Sequence, residues 1–144
     1  MVKEIVKDTE VLSKPLERAT KNDLYIIRDL IDTAKAHDNC LGLTANQIGY
    51  TKRIILVKNG ESWKPFINPI IVKKSRETYI AEEGCLSLDG ERKVKRHHSI
   101  RLAYREENGK QRVSDFSGLM AEIIQHEVDH CKTYRLSWIL RKIY

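Results

Sequence analysis

The run His126-Glu127-Val128-Asp129-His130 constrains this chain more than any other part of it. Residues four apart on a helix stand on the same face, roughly 6 Å along the axis. Two imidazoles so placed can hold one divalent metal, and Glu127 lies close enough to act on a water beside it. With five histidines and twelve glutamates in 144 residues, chance would produce the pattern roughly 0.01 times. A helix that merely happens to bear two histidines is therefore the weaker reading.

A catalytic metal of this type takes three protein ligands and keeps one position for water. The third donor must come from elsewhere in the chain: Cys85, Cys40, His37, His97, His98 or one of the acids. Cys85 stands in Glu82-Glu83-Gly84-Cys85-Leu86-Ser87, where Gly84 permits close backbone approach. That context marks it out, although spacing alone does not. Cys131 follows His130 and points about 100° round the helix, so it suits the same metal poorly. Cys40 reads as a small core residue, and His37, His97 and His98 as surface or strand histidines. Asp129 and Asp115 are candidates to orient the metal-binding histidines, or plain surface groups.

Around this segment the chain reads as α+β. Val11 to Leu16 is expected to be an extended arm ending at Pro15. Thr20 and Asp23 have the spacing of a capping box, and Leu24, Ile27, Leu30, Ile31 and Ala34 repeat at helical spacing to about His37. Strands follow at Arg53 to Val57, before the Asn59-Gly60 turn, and at Phe66 to Val72. Asn68-Pro69 predicts an edge position or a bulge in the second. A short strand is expected around Cys85, and Ser99 to Tyr104 should pair with Gln111 to Phe116 through Asn108-Gly109. Ser117 then caps a helix to about Lys132, followed by an apolar tail with Trp138, Ile139, Leu140 and Ile143. Antiparallel strands around one central metal-binding helix, in a single domain over residues 1–144, is the expected architecture.

The apolar runs, such as Ile54 to Val57, are too short to cross a bilayer. The N-terminus lacks a signal-peptide core and carries Glu4, Asp8 and Glu10, so a cytoplasmic location is expected and no membrane partner. Three cysteines without a secretory signal argue against a disulfide framework. The net charge of +6 suits contact with ribosomal RNA, and equally a basic enzyme with no such partner. Two basic stretches, Arg92-Lys93 with Lys95-Arg96 and Arg135 with Arg141-Lys142, lack the interleaved aromatics of a single-strand binding surface. No specific DNA partner is expected.

Three ordered motifs make the chain resemble the peptide deformylase family. Gly42-Leu43-Thr44-Ala45-Asn46-Gln47 is similar to the first motif, which ends in the family's glutamine. Glu83-Gly84-Cys85-Leu86-Ser87 matches the second, and Gln125-His126-Glu127-Val128-Asp129-His130 the third. The chain departs from the pattern in having Cys40 for a glycine, Thr44 for the first of paired alanines and Asp89 for a proline. Cys131 and Thr133 likewise replace a leucine and a glycine.

The resemblance implies Cys85, His126 and His130 as ligands of Fe(II), with Zn(II) or another divalent metal equally suited by geometry. It implies Glu127 as general base, and Gln47 with the Leu86 backbone N–H as oxyanion donors. The implied reaction removes the formyl group from formyl-methionyl nascent peptides and releases formate, with transient ribosome contact as an accompanying expectation. The peptide would lie along Gly42, and Leu119 and Ile123, on the His126 face of the helix, would line the methionine pocket. Glu122 is unexpected on that face and reads as a solvated helix residue. A zinc protease would also use His126, Glu127 and His130, but it leaves the first two motifs without a role. A structural-metal RNA-binding module would leave Glu127 idle and needs a fourth ligand that the sequence does not offer.

Overall fold

The computed structural model describes residues 1–131; the expected apolar tail and the basic residues Arg135, Arg141 and Lys142 lie outside the described residues. Near the N-terminus the expected extended arm is interrupted by a short helix, α1 (Thr9–Leu12). Asp8 starts it by accepting the Glu10 N–H at 2.9 Å, and burial of Leu12 holds it against the body. The capping box at Thr20 is present: Asp23 Oδ2 accepts the Thr20 N–H at 2.8 Å. It closes one 3-10 turn that feeds α2 (Tyr25–Lys35). This helix buries Ile26, Ile27, Leu30, Thr33 and Ala34, a stripe at helical period.

Among the described residues seven strands follow: β1 (Gly42–Thr44), β2 (Ile54–Asn59), β3 (Ser62–Lys74), β4 (Thr78–Cys85), β5 (Leu88–His97), β6 (Ser99–Arg105) and β7 (Gln111–Ser117). Helix α3 (Gly118–Cys131) ends the described chain. Five strands form one antiparallel sheet in the order β1-β2-β3-β6-β7, and β4 and β5 pair as a separate hairpin. Pairing of β6 with β7 agrees with the expectation from Asn108-Gly109.

Pro69 sits not at an edge but inside the sheet, because β3 lies between β2 and β6. The register shifts between Ile67 and Ile70, so the bulge alternative is the one realised. Asn68 takes a positive φ of 51° there. Its side chain accepts the Ala19 N–H at 2.8 Å and donates to the Ala19 carbonyl at 2.9 Å, which stabilises the strained turn.

Strand β2 is buried on both sides. Ile55 and Val57 join a core with Phe66, Leu102, Tyr104, Ile124 and Val128 beneath α3. Ile54 and Leu56 join a second core with Ile26, Leu30, Ala34 and Leu43 beneath α2. Strand alternation sends successive side chains to opposite faces, so the run Ile54 to Val57 feeds both cores. Each buried side chain of this size contributes about 1.5–3 kcal/mol, and the sheet is clamped between α2 and α3. Among the described residues no helix is long and apolar enough to cross a membrane.

Candidate active site

Helix α3 is buried along most of its length from Ala121 to Cys131. Gln125 accepts the His97 N–H at 3.0 Å and donates to the His97 carbonyl at 2.9 Å. That paired amide contact pins β5 to the helix and so carries the β4–β5 hairpin over the histidines. At the hairpin's tip the register shifts between Gly84 and Cys85, turning the thiol toward α3.

The Cys85 Sγ lies 3.6 Å from His130 Nε2. One donor atom from each of Cys85, His126 and His130 falls within 4.8 Å of the others. Burial alone would raise the Cys85 thiol, but hydrogen bonds from His126 and His130 outweigh it and bring the group down to about 5. An ionised thiol and two imidazoles suit zinc or ferrous iron, so the donor set fits a divalent metal. Cys131 is buried in the α3 core and Cys40 in the α2 core, both with thiols pushed up to about 12 by burial. His37, His97 and His98 stand outside the cluster.

His126 Nδ1 meets Glu83 Oε1 at 2.8 Å, leaving its other ring nitrogen for the cluster. Glu83 in turn accepts two bonds from Arg96, at 2.6 and 2.9 Å, and Arg96 donates to Asp129 at 2.7 Å. Burial opposes ionisation of Glu83, yet Arg96 and His126 hold its carboxyl at about 2. Asp129 thus reaches the histidine through Arg96. Asp115 does not: it pairs with Arg101 on the exposed side of β6 and β7.

Glu127 is buried, and burial raises its carboxyl although His126 and His130 oppose the rise. Its Oε1 accepts the Thr44 hydroxyl at 2.9 Å. The Thr44 N–H donates to Gln47 Oε1 at 3.0 Å. The opposite end of that amide, Nε2, then faces Cys85 Sγ at 3.4 Å and Ser87 Oγ at 3.2 Å. A Cβ on Gly42 would stand 2.8 Å from both Glu127 Oε2 and Ile123 Cγ2. Any larger residue there would have to displace the Glu127 carboxylate and the Ile123 side chain.

Gln47, Glu83, Cys85, His126 and Glu127 open onto one cleft of about 540 Å³, a size typical of small-ligand sites. Its walls include Gly42, Gln47, Leu86, Leu119, Ile123 and Glu127. Glu122 also lines it, half-buried, and accepts the Tyr79 hydroxyl at 2.7 Å. It is not a freely solvated helix residue.

A family profile described as polypeptide deformylase matches residues 2–137. This chain belongs to that family. A peptide deformylase from Clostridium beijerinckii is 48% identical over 131 residues, covering 90% of this chain and 96% of the relative. The crystal structure of peptide deformylase from Thermotoga maritima superposes with a TM-score of 0.90 at 29% identity, covering 100% of this chain and 99% of that one. A Met-Ala-Ser bound class I type b peptide deformylase from Acinetobacter baumannii gives 0.86 at 25% identity, covering 95% and 99%. The chain is accordingly a deformylase-family hydrolase, removing the N-terminal formyl group of nascent peptides, with a Cys/His cluster that could hold a metal.

Within this family frame, sequence reasoning missed Arg96, which reads as one of four clustered basic residues but is 3% exposed. The available signal was alternation along β5: Val94 and Arg96 share one face, and that face is buried. Glu83 stands out in the sequence only as the first residue of the Glu83 to Ser87 motif. Its role follows from lying two residues before Cys85, on the same face of β4.

Proposed function

We propose that deformylation in this chain is carried by Glu127 as general base beside a metal held by Cys85, His126 and His130. The observation that supports it most directly is the convergence of those three donors within 4.8 Å, at the cleft that Cys85, His126, Glu127 and Gln47 line. A divalent metal bound there lowers the pKa of water and polarises the formyl carbonyl. Glu127 accepts the proton of the attacking water as the new C–O bond forms at the formyl carbon. It returns that proton to the amine nitrogen as the C–N bond breaks, leaving formate and a free N-terminus. Gln47 Nε2, aimed by the Thr44 N–H, and the Leu86 N–H donate to the developing oxyanion. Glu83 fixes the His126 ring through its Nδ1.

The peptide lies along Gly42, with the methionine side chain against Leu119 and Ile123, which line the same cleft; the Acinetobacter relative was solved with Met-Ala-Ser bound. Leu119 is 60% exposed, an apolar surface that substrate would cover. Fe(II) is the proposed native metal, and Zn(II) suits the same donors. Residues 1–144 act as one catalytic domain in this reading. The net charge of +6 supports transient contact with ribosomal RNA; unchanged ribosome co-sedimentation after deletion of residues 136–144 would count against the tail as its point of contact.

The deciding experiment is formate release from a formyl-Met peptide by anaerobically purified protein, with Glu127→Ala as control. Formate from the unaltered protein alone is expected. Equal release by both, or by neither while both hold metal, would overturn the assignment.

A further inference from the structure

We propose that Thr44 is a positioning residue for the general base, holding one oxygen of Glu127 so that the other alone faces the peptide groove. The inference rests on Glu127 being that base. Thr44 is fully buried at the end of β1. Its hydroxyl lies 2.9 Å from Glu127 Oε1 and 3.2 Å from the Glu127 carbonyl, so it spans the side chain and backbone of one residue. Oε2 is the oxygen that a Cβ on Gly42 would meet, and Gly42 lines the cleft. The two oxygens therefore have different work: Oε1 is anchored on Thr44, and Oε2 borders the place where substrate lies.

A glutamate's terminal torsion is broad and nearly two-fold, so an unanchored carboxylate exchanges its oxygens freely. An anchor on one of them keeps the proton-carrying oxygen oriented between water and amine, which general acid–base transfer requires. The family pattern has alanine at this position, which cannot make the bond. The hydroxyl is thus a constraint that this chain adds, and its effect should be moderate.

Thr44 has a second contact that separates the two roles. Its backbone N–H orients Gln47, and a side-chain substitution leaves that donor in place. Changes at Thr44 therefore remove the side chain's own contacts, to Glu127 and to the Gln47 N–H that it caps, and leave the backbone donor in place. Thr44→Val, Thr44→Ala and Thr44→Ser are compared with the unaltered metal-loaded protein on a formyl-Met peptide. Metal per chain and thermal midpoint are measured for each. Valine and alanine are expected to lower kcat about five- to tenfold with KM and metal content unchanged. Serine, which keeps the hydroxyl, should stay within about twofold.

Wild-type kcat in the valine and alanine variants would overturn the proposal. So would a serine variant that falls as far as they do, or a loss that appears in KM or metal content instead. If the valine variant does not fold, alanine against serine decides by the same criteria. Absence of formate from the unaltered protein would strike the catalytic assignment itself, a result distinct from any of these.

Discussion

Replacing Arg96 with methionine should expose how much of this protein's stability depends on the charges behind the metal site. The guanidinium is buried and donates to Glu83 twice and to Asp129 once. Methionine roughly fills the space but leaves both carboxylates buried without their cation. Breaking a buried pair in this way costs about 3–5 kcal/mol. Linkage gives a second figure, which bounds the share of Arg96 from above. Arg96 and His126 together hold Glu83 at about 2 instead of 4.5, which at about 1.4 kcal/mol per unit is worth about 3 kcal/mol.

Its folded-state value is depressed, so the contribution is complete above pH 4.5 and fades as pH falls toward 2. Urea unfolding of chelator-stripped protein at pH 7 and at pH 3 measures both numbers without interference from metal release. Arg96→Met should be less stable by about 3 kcal/mol at pH 7, with a clearly smaller deficit at pH 3. A deficit under about 1 kcal/mol at pH 7, or one unchanged by acid, would refute the reasoning.

Gly42→Ala should fold but lose about 100-fold in kcat/KM, because the new methyl group would stand only 2.8 Å from Glu127 Oε2 and push it aside; circular dichroism and formate release together check this. Gln47→Leu should lower kcat by about 100-fold or more with little change in KM, since the Nε2 donor acts on the developing oxyanion and not on the bound ground state. In metal-stripped protein, iodoacetamide should label Cys85 at pH 6 almost as fast as at pH 8, its thiol being already ionised above about 5. Cys40 and Cys131, held at about 12, should stay unlabelled, and peptide mapping by mass spectrometry would show which thiols reacted.

The local elements follow from short-range rules that need no knowledge of the rest of the chain. Thr20 and Asp23 cap the first long helix because their side chains reach backbone groups within one turn. Asn108-Gly109 joins β6 to β7 because glycine takes the positive φ of 86° that the turn needs. Helix periodicity puts His126 and His130 on one face wherever α3 is placed. Local rules also have limits. They allowed Pro69 either an edge or a bulge, and only the position of β3 between β2 and β6 decided for the bulge.

The site shows the same division. The sequence alone determined the chemical types: two histidines and a glutamate on one helix, a cysteine in a glycine-bearing turn and a glutamine after β1. Their convergence depends on contacts between residues far apart in the chain. Cys85 meets His130 across 45 positions, because Gln125 fastens β5 to α3. Arg96 and Glu83 became a support for His126 only when β5 folded against the helix and removed both charges from water. Thr44 meets Glu127 across 83 positions, a contact no spacing rule contains. Helix and turn preferences act within a few residues, whereas burial, ion pairing and the aim of a carboxylate are set by whatever the finished fold brings alongside.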